Sequence, residues 1–493
     1  MSKRLPIALA IATALAGCSL VPDYLRPAPP VPAAWPTPEK VGADETTALQ
    51  GGRAKNALFA VADGGTARLV VDADWRGFFT DAYLQQLIAT ALENNRDMRI
   101  AVARVAEARA LAGIARAERF PAVDVNLQQQ AARIPGDLSS SGREMISRRY
   151  DANLGIAAFE LDFWGRVQSL DAAARANFFA SEYAQSAFRL TLIADVASAY
   201  YSLIDLDARL TLAEDTVKSR ADSRYLIEKR RDVGLAGDLD FLAADGTWQN
   251  ARADVALLAR QRAAAENALR LILGSETGAA VPINSAGASA AVPPAPTFPA
   301  VPEIAVGLPS EVLLRRPDVL AAEQKLIAAN ANIGAARAAF FPKIVLTAVA
   351  GSASPALAGL FGGGSSAWSF VPLLKWPLFD AGRAEGNVDL AEARKNIAVA
   401  EYEKIIQQAF REVADLLSAN KYYVEQLQAL EAAASAHGER LKRVEARHTA
   451  GVSGYLELLD AQRECFVAQQ LVLVTRRALA VTAASLFKAL GGS

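Results

Sequence analysis

Apolar positions along the chain follow two rhythms, and each rhythm occurs twice. The first has a period of seven. Near the C-terminus Leu458, Cys465, Val472, Leu479 and Leu486 recur at that interval, and Ala461, Ala468, Thr475 and Thr482 fill the position between them. The first half carries the same series as Phe241, Trp248, Val255 and Leu269, with Ala244, Ala251, Leu258, Ala265 and Ile272 between; only Arg262 breaks it. Sustained seven-residue spacing predicts helices packed knobs-into-holes, and the small residues allow close approach. Cys465 therefore reads as a core position in preference to a reactive thiol. Residues 165–233 are nearly unbroken helical sequence, which at ~1.5 Å per residue reaches ~100 Å, and 82–119 is also helical in period. A rod of that length suits the crossing of a compartment better than it suits a compact domain.

The second rhythm has a period of two. After Pro121, Val123, Val125 and Leu127 alternate with Asp124, Asn126 and Gln128, and the loop IPGDLSSSG follows. The next strand places Tyr150, Ala152, Leu154, Ile156 and Ala158 opposite Asp151, Asn153 and Gly155. Clean alternation marks a sheet that is apolar on one side and wet on the other. The second half repeats the pattern with Ile344, Leu346, Ala348 and Ala350, the loop GSASPALAGLFGGGSS, and a strand near Trp368–Trp376 that is apolar on both faces. Alternation leaves the orientation of this last strand open.

These rhythms belong to an internal repeat. RAERFP ending at Pro121 returns as RAAFFP ending at Pro342, and FWGR ending at Arg166 returns as DAGR ending at Arg383. RRDVGLAGDLDFL around Gly234 returns as RHTAGVSGYLELL around Gly451, and the closing LILG and KALG also correspond, all at a separation of roughly 220 residues. The sequence thus divides into a first repeat, 73–277 with a hairpin at about 121–162, and a second, 310–493 with a hairpin at about 342–379. Between them, 278–309 is rich in Pro, Ala and Gly and reads as a linker. Two hairpins give four strands, too few to close a barrel, and an open edge in lipid leaves backbone groups unpaired. Three chains would supply twelve strands, an even number within the range of membrane barrels. The alternative is a soluble α+β protein whose hairpins pack on its helices.

The N-terminus favours the membrane. Lys3 and Arg4 precede a short apolar run, Leu5 to Ala16, and then Leu15-Ala16-Gly17-Cys18, so residues 1–17 read as a signal peptide. LAGC resembles a bacterial lipoprotein box, which makes Cys18 the acylated first residue of an extended segment, 18–72; an ordinary signal peptide with a chance cysteine is the alternative. Ser19 after the cysteine fits delivery to the outer membrane. No later stretch reads as the ~20 apolar residues that a membrane helix needs. The net charge of -1 offers nothing to nucleic acid, and two cysteines provide no disulfide framework. His437 and His448 read as solvated helix residues, GLFGGGSS lacks the Lys of a phosphate loop, and no enzymatic constellation is found.

Three stretches carry a family resemblance: WRGFFTDAYLQQLIATALENNRDMRIA from Trp75, LPSEVLLRRPDVLAAEQKLIAANANIGAARAAFFPKIVLTAVAG from Leu308, and AGVSGYLELLDAQRECFVAQQ from Ala450. Over roughly 73–491 the chain resembles the outer-membrane factors, TolC-like lipoprotein ducts of resistance-nodulation-division type efflux systems. The resemblance implies a mostly α fold with membrane β: a homotrimer whose twelve-stranded β-barrel continues as a long twelve-helix periplasmic α-barrel, in outer-membrane lipid. It implies a passive exit duct for drugs or other small molecules, with no cofactor or metal. The implied partners are a periplasmic adaptor and a proton-driven inner-membrane pump. A duct for type I protein secretion, or a non-channel periplasmic scaffold, are the other readings. By the resemblance the gate lies where helix pairs reverse, at Gly234 and Gly237 and at Gly451 and Gly454. Glu457 and Asp460 fall where an acidic constriction is usual, and Asp240 where helices are tied together; Asp238 lies beside it. Arg230, Arg231 and Arg447 are placed to latch these acids. Some relatives carry an acid where Ser453 stands, so the constriction chemistry differs here. Each acid also suits plain stabilisation of a helix N-terminus.

Overall fold

A computed structural model describes residues 20–32, 74–140, 142–274 and 310–492. The signal peptide, Cys18, all of 33–72 and the linker 278–309 lie outside the described residues. The chain forms two units, and each draws on both sequence repeats: Met1–Pro29, Ala103–Tyr183 and Leu320–Lys404 make the first, and Pro30–Val102, Ala184–Val319 and Ile405–Ser493 the second.

In chain order the helices are α1 (Trp75–Phe78), α2 (Ala82–Asn94), α3 (Arg96–Ala117), α4 (Arg166–Asp232), α5 (Asp238–Leu273), α6 (Pro317–Arg337), α7 (Arg383–Thr449) and α8 (Tyr455–Ala489). The strands are β1 (Val123–Ile134), β2 (Met145–Leu161), β3 (Lys343–Ser354) and β4 (Ser366–Lys375). The single helix expected over 82–119 breaks at Asn95. Its side chain accepts from Met98 N at 2.8 Å, starting α3, and donates to Ile272 O at 2.8 Å, so a tertiary contact uses the break.

The first unit holds the sheet, an antiparallel β1-β2-β3-β4 meander. Residues directly opposite in an antiparallel ladder share a face. Val125 pairs with Leu154, Leu154 with Ala350 and Ala350 with Trp368; Val123, Ile156, Ala348 and Phe370 form the next such row. Register therefore settles the orientation that the sequence leaves open: Trp368 and Phe370 lie on the apolar face. Asp124, Asn126, Asp151, Asn153 and Thr347 lie on the other. Among the described residues nothing covers the apolar face, with Val125 72% and Trp368 79% exposed. Ala158 departs from its expected place in the alternation. A bulge between Ile156 and Phe159 gives Ala158 a φ of 55°, and Phe159 resumes the pairing opposite Leu346.

At the lower rim of the sheet, Trp164 Nε1 donates to Pro342 O at 2.8 Å while its ring stacks on Phe341, and Trp376 Nε1 donates to Phe340 O at 3.1 Å. Glu160 accepts from Arg166 at 2.8 and 2.6 Å and pairs with Lys343 at 2.7 Å, joining β2 to the start of α4 and to β3.

The second unit contains the aromatic core, where Trp75, Phe79, Leu84, Ile88, Ile193, Leu203, Leu269 and Phe487 are almost fully buried. Burying such side chains stabilises by ~1.5–3 kcal/mol each. The seven-residue seam holds: Leu458, Ala461, Cys465, Ala468, Val472, Thr475, Thr482 and Leu486 are buried, while Leu479 is half-buried. Arg262, the exception in the first series, ion-pairs with Asp207 and with Glu266. Arg316 explains the RRPD stretch. It donates to Ala489 O at 2.8 Å, closing the C-terminus of α8, and pairs with Asp318 and Glu412 at 2.8 and 2.9 Å.

The expectation that no later stretch suits a membrane helix is too strict. Windows in α4 and α8 reach mean hydropathies of 1.2 and 1.3, apolar enough by length and composition alone. Half of the α4 window (50%) and 44% of the α8 window are buried inside the protein, which is where that apolar character is used.

Candidate functional site

Both helix reversals lie in the second unit and share one backbone design. Gly234 has φ +77°; its N–H donates to Arg231 O at 2.9 Å, and Leu235 N–H donates to Arg230 O at 2.7 Å. Gly451 has φ +74°, with Gly451 N–H to His448 O at 3.0 Å and Val452 N–H to Arg447 O at 2.9 Å. This paired pattern closes a helix through one left-handed residue, which glycine supplies without steric cost. Gly237 and Gly454 do not share that conformation. They precede α5 and α8 with φ of -84° and -70°, ordinary extended backbone, so left-handed freedom is not what they contribute.

The acids open the returning helices. Asp238 and Asp240 lie in the first turn of α5, and Glu457 in that of α8, where they complement the positive end of the helix dipole. Asp240 Oδ2 also accepts from Gly237 N–H at 3.4 Å. Of the three arginines expected to pair with these acids, one does so. Arg447 Nη1 stands 3.6 Å from Glu457 Oε1. Arg231 instead meets Asp232 on its own helix at 3.4 Å and stacks over the Phe241 ring at 4.2 Å. Arg230 and Asp238 pair with no opposite charge among the described residues. Arg230 lends the turn its carbonyl.

Asp460 is held from elsewhere. Arg440 donates to it across the α7/α8 hairpin at 2.7 Å, and Arg463 pairs with it at 2.9 Å. The Arg440 hydrogen bond, aided by nearby positive charge, holds the Asp460 carboxyl below the usual carboxylate range. His448 is no bystander, contrary to its reading as a solvated residue. Its Nδ1 lies 3.0 Å from Ser453 O, and because a carbonyl only accepts, Nδ1 carries the proton and closes the turn. Ser453 Oγ, shielded from solvent, finds no hydrogen-bond partner among the described residues.

Three arginines that sequence reasoning missed complete the site. Arg224 pairs with Asp245 across α4/α5 at 2.6 Å and faces the Phe241 and Trp248 rings at 5.1 and 5.3 Å. Arg440 is the corresponding arm of the second hairpin. Arg220 donates to Thr247 O at 2.8 Å, near Tyr455 of α8. Burial pushes the Tyr455 phenol up, opposed by Arg220 and by a hydrogen bond with Thr247, while Asp240 adds to the rise. The two hairpins thus meet at Tyr455. Counting outward from the glycines would have aligned Arg440 with Asp460, since antiparallel helices pair residues at similar distances from their turn. The arrangement is an electrostatic clasp built on a fixed backbone turn.

Comparisons with known proteins agree with this architecture. The family model described as outer membrane efflux protein matches residues 87–275 and 308–492. The toluene efflux pump outer membrane protein TtgF of Pseudomonas putida is 42% identical over 486 residues, covering 99% of this chain and 96% of that protein. A crystal structure of a membrane protein from Pseudomonas aeruginosa superposes with a TM-score of 0.84 at 40% identity, covering 96% of this chain and all (100%) of the other. The open state of the Neisseria gonorrhoeae MtrE outer membrane channel matches with a TM-score of 0.76 at 32% identity, over 96% of this chain and 98% of that one.

Proposed function

The chain belongs to the outer membrane efflux protein family, and on that premise we propose that three copies form one passive duct across the outer membrane and the periplasm. The observation that carries the reading is the sheet. Its apolar face is continuous over four strands and uncovered, and among the described residues β1 and β4 each pair on one side only. Lipid is the solvent for such a face, and only closure removes the two open edges. Three copies joined β4 to β1 close a barrel of twelve strands, continued by the α4–α5 and α7–α8 hairpins as a twelve-helix wall.

In this reading Cys18 carries the lipid anchor, and the duct performs no chemistry of its own. A proton-driven inner-membrane pump and a periplasmic adaptor supply energy and docking. The relative named for toluene efflux supports small apolar solutes or drugs as cargo. The gate lies at the two reversals. Among the described residues no three His, Cys, Asp or Glu side chains gather as a metal-ligand set. A carboxylate ring therefore requires Glu457 and Asp460 from all three copies, and such a ring favours cations.

Purified protein in a planar bilayer is the test. The expected outcome is a discrete single-channel conductance together with heat-modifiable migration on gels. An acylated product that stays monomeric and inserts no sheet overturns the proposal.

A further inference from the structure

The N-terminal segment is seated in the first unit by a receptor on α6. Asn330 Nδ2 donates to Pro22 O at 2.7 Å. Tyr24 Oη donates to Glu323 Oε1 at 3.2 Å, and Arg26 grips the same carboxylate with both arms, Nε at 2.6 Å and Nη2 closer still. Glu323 is 7% exposed and Asn330 2%. Tyr402 of α7, fully buried, senses both charges of the Arg26–Glu323 pair. Burial, with Glu323 adding to it, pushes the Tyr24 phenol up. Gly334 completes the seat, because a Cβ there would clash with Val21.

The receptor is specific to the second repeat. By the alignment of RAERFP with RAAFFP, Gly334 corresponds to Gly113 and Glu323 to Val102. A Cβ on Gly113 would meet nothing within 4 Å, and Val102 offers no charge. A carboxylate this deeply buried is costly unless it is paired. Its only strong cationic partner among the described residues arrives from 297 positions earlier in the chain.

We propose that Glu323 is the receptor for the chain's own N-terminal strap, and that the Arg26–Glu323 clasp fixes the start of the mature chain beside the foot of the sheet. The part concerning the anchor rests on the reading of Cys18 as acylated. Val21 follows Cys18 by three positions, so at most ~10 Å of extended chain joins the acyl-bearing residue to Val21. Gly334 in turn precedes Lys343, the first residue of β3, by nine positions, only the first three of which, to Arg337, are α-helical. The clasp thereby brings the lipid to the level where the sheet enters the bilayer and limits how far the barrel slides along the membrane normal.

The test uses full-length trimer with Val21→Cys in a Cys465→Ala background, labelled by a membrane-impermeant maleimide. Labelling is expected to be slow in this parent and roughly tenfold faster with Arg26→Gln, Glu323→Gln or Gly334→Val, since each frees the strap. Arg26→Gln strands a buried charge, so it should lower the trimer's gel melting point more than the Arg26→Gln/Glu323→Gln double change does. A merely space-filling Glu323 gives additive effects instead. Parent-like labelling in Arg26→Gln, or simple additivity, overturns the clasp. Palmitate incorporation in the same samples checks the anchor separately: an unlabelled parent refutes acylation, and because a free Cys18 thiol would then take up the maleimide itself, the clasp is read in that case from the melting points of the single and double variants.

Discussion

At Gly234 and at Gly451 the chain turns back through the same two hydrogen bonds, yet the side chains around the two turns are held by different forces. Around the first, Arg224 and Arg231 lie on aromatic faces, Phe241 and Trp248, and only Arg224 adds a cross-hairpin ion pair. Around the second, Arg440 holds Asp460 through a hydrogen-bonded ion pair and Arg447 pairs with Glu457, and among the described residues neither guanidinium lies over an aromatic ring. Cation–π contacts persist in salt, whereas exposed ion pairs are screened. The contacts around the first turn are therefore less sensitive to salt than those around the second.

The largest expected effect tests the shared backbone. Gly234→Val and Gly451→Val should each cost about 2 kcal/mol in thermal unfolding, because a β-branched residue resists the left-handed region. Markedly unequal losses would break the equivalence of the two turns. Next, Arg224→Ala should lower stability by ~1 kcal/mol, and only the part owed to its Asp245 pair should fade at high salt. Arg440→Ala should have a smaller effect that disappears at high salt, and a salt-independent loss there would remove the contrast. In conductance measurements, Glu457→Ala with Asp460→Ala should weaken block by divalent cations several-fold, whereas Asp240→Ala should leave it largely intact. Unchanged block in the double variant removes both acids from the constriction.

The smallest effect is the pH response, and two aspartates give it opposite signs. The Asp460 carboxyl is held low by Arg440, so its contribution is present above the ordinary carboxylate range and is lost as pH falls through and below about 4. Asp205 on α4 behaves in reverse. Burial raises it, against the pull of Arg477 and Arg209, whose guanidinium groups stand 3.5 and 3.7 Å away. Its carboxylate oxygens accept no hydrogen bond among the described residues. A raised folded-state value favours the protonated form, so this site gains as pH falls toward the ordinary carboxylate range and loses as pH rises through the raised value. Between about pH 3 and 7, the differences that Asp460→Asn and Asp205→Asn make to the melting point should change with pH in opposite directions.

The sequence by itself determined the repeat, the seven-residue seams, the faces of β1 and most of β2, and the two glycine turns. Each of these rests on interactions between near neighbours or on a strict period, and both are written in residue order. The first turn's acids were legible for the same reason. Only the tertiary structure decided the face of β4, because a strand apolar on both sides takes its orientation from the register of its partner. Ala158 could not be placed in advance, since a bulge is a property of two strands together. Arg440, Arg220 and the Arg26–Glu323 clasp stayed hidden for a related reason. A single long-range ion pair leaves no periodic trace, and only the packing of distant helices brings its two charges within reach of one another.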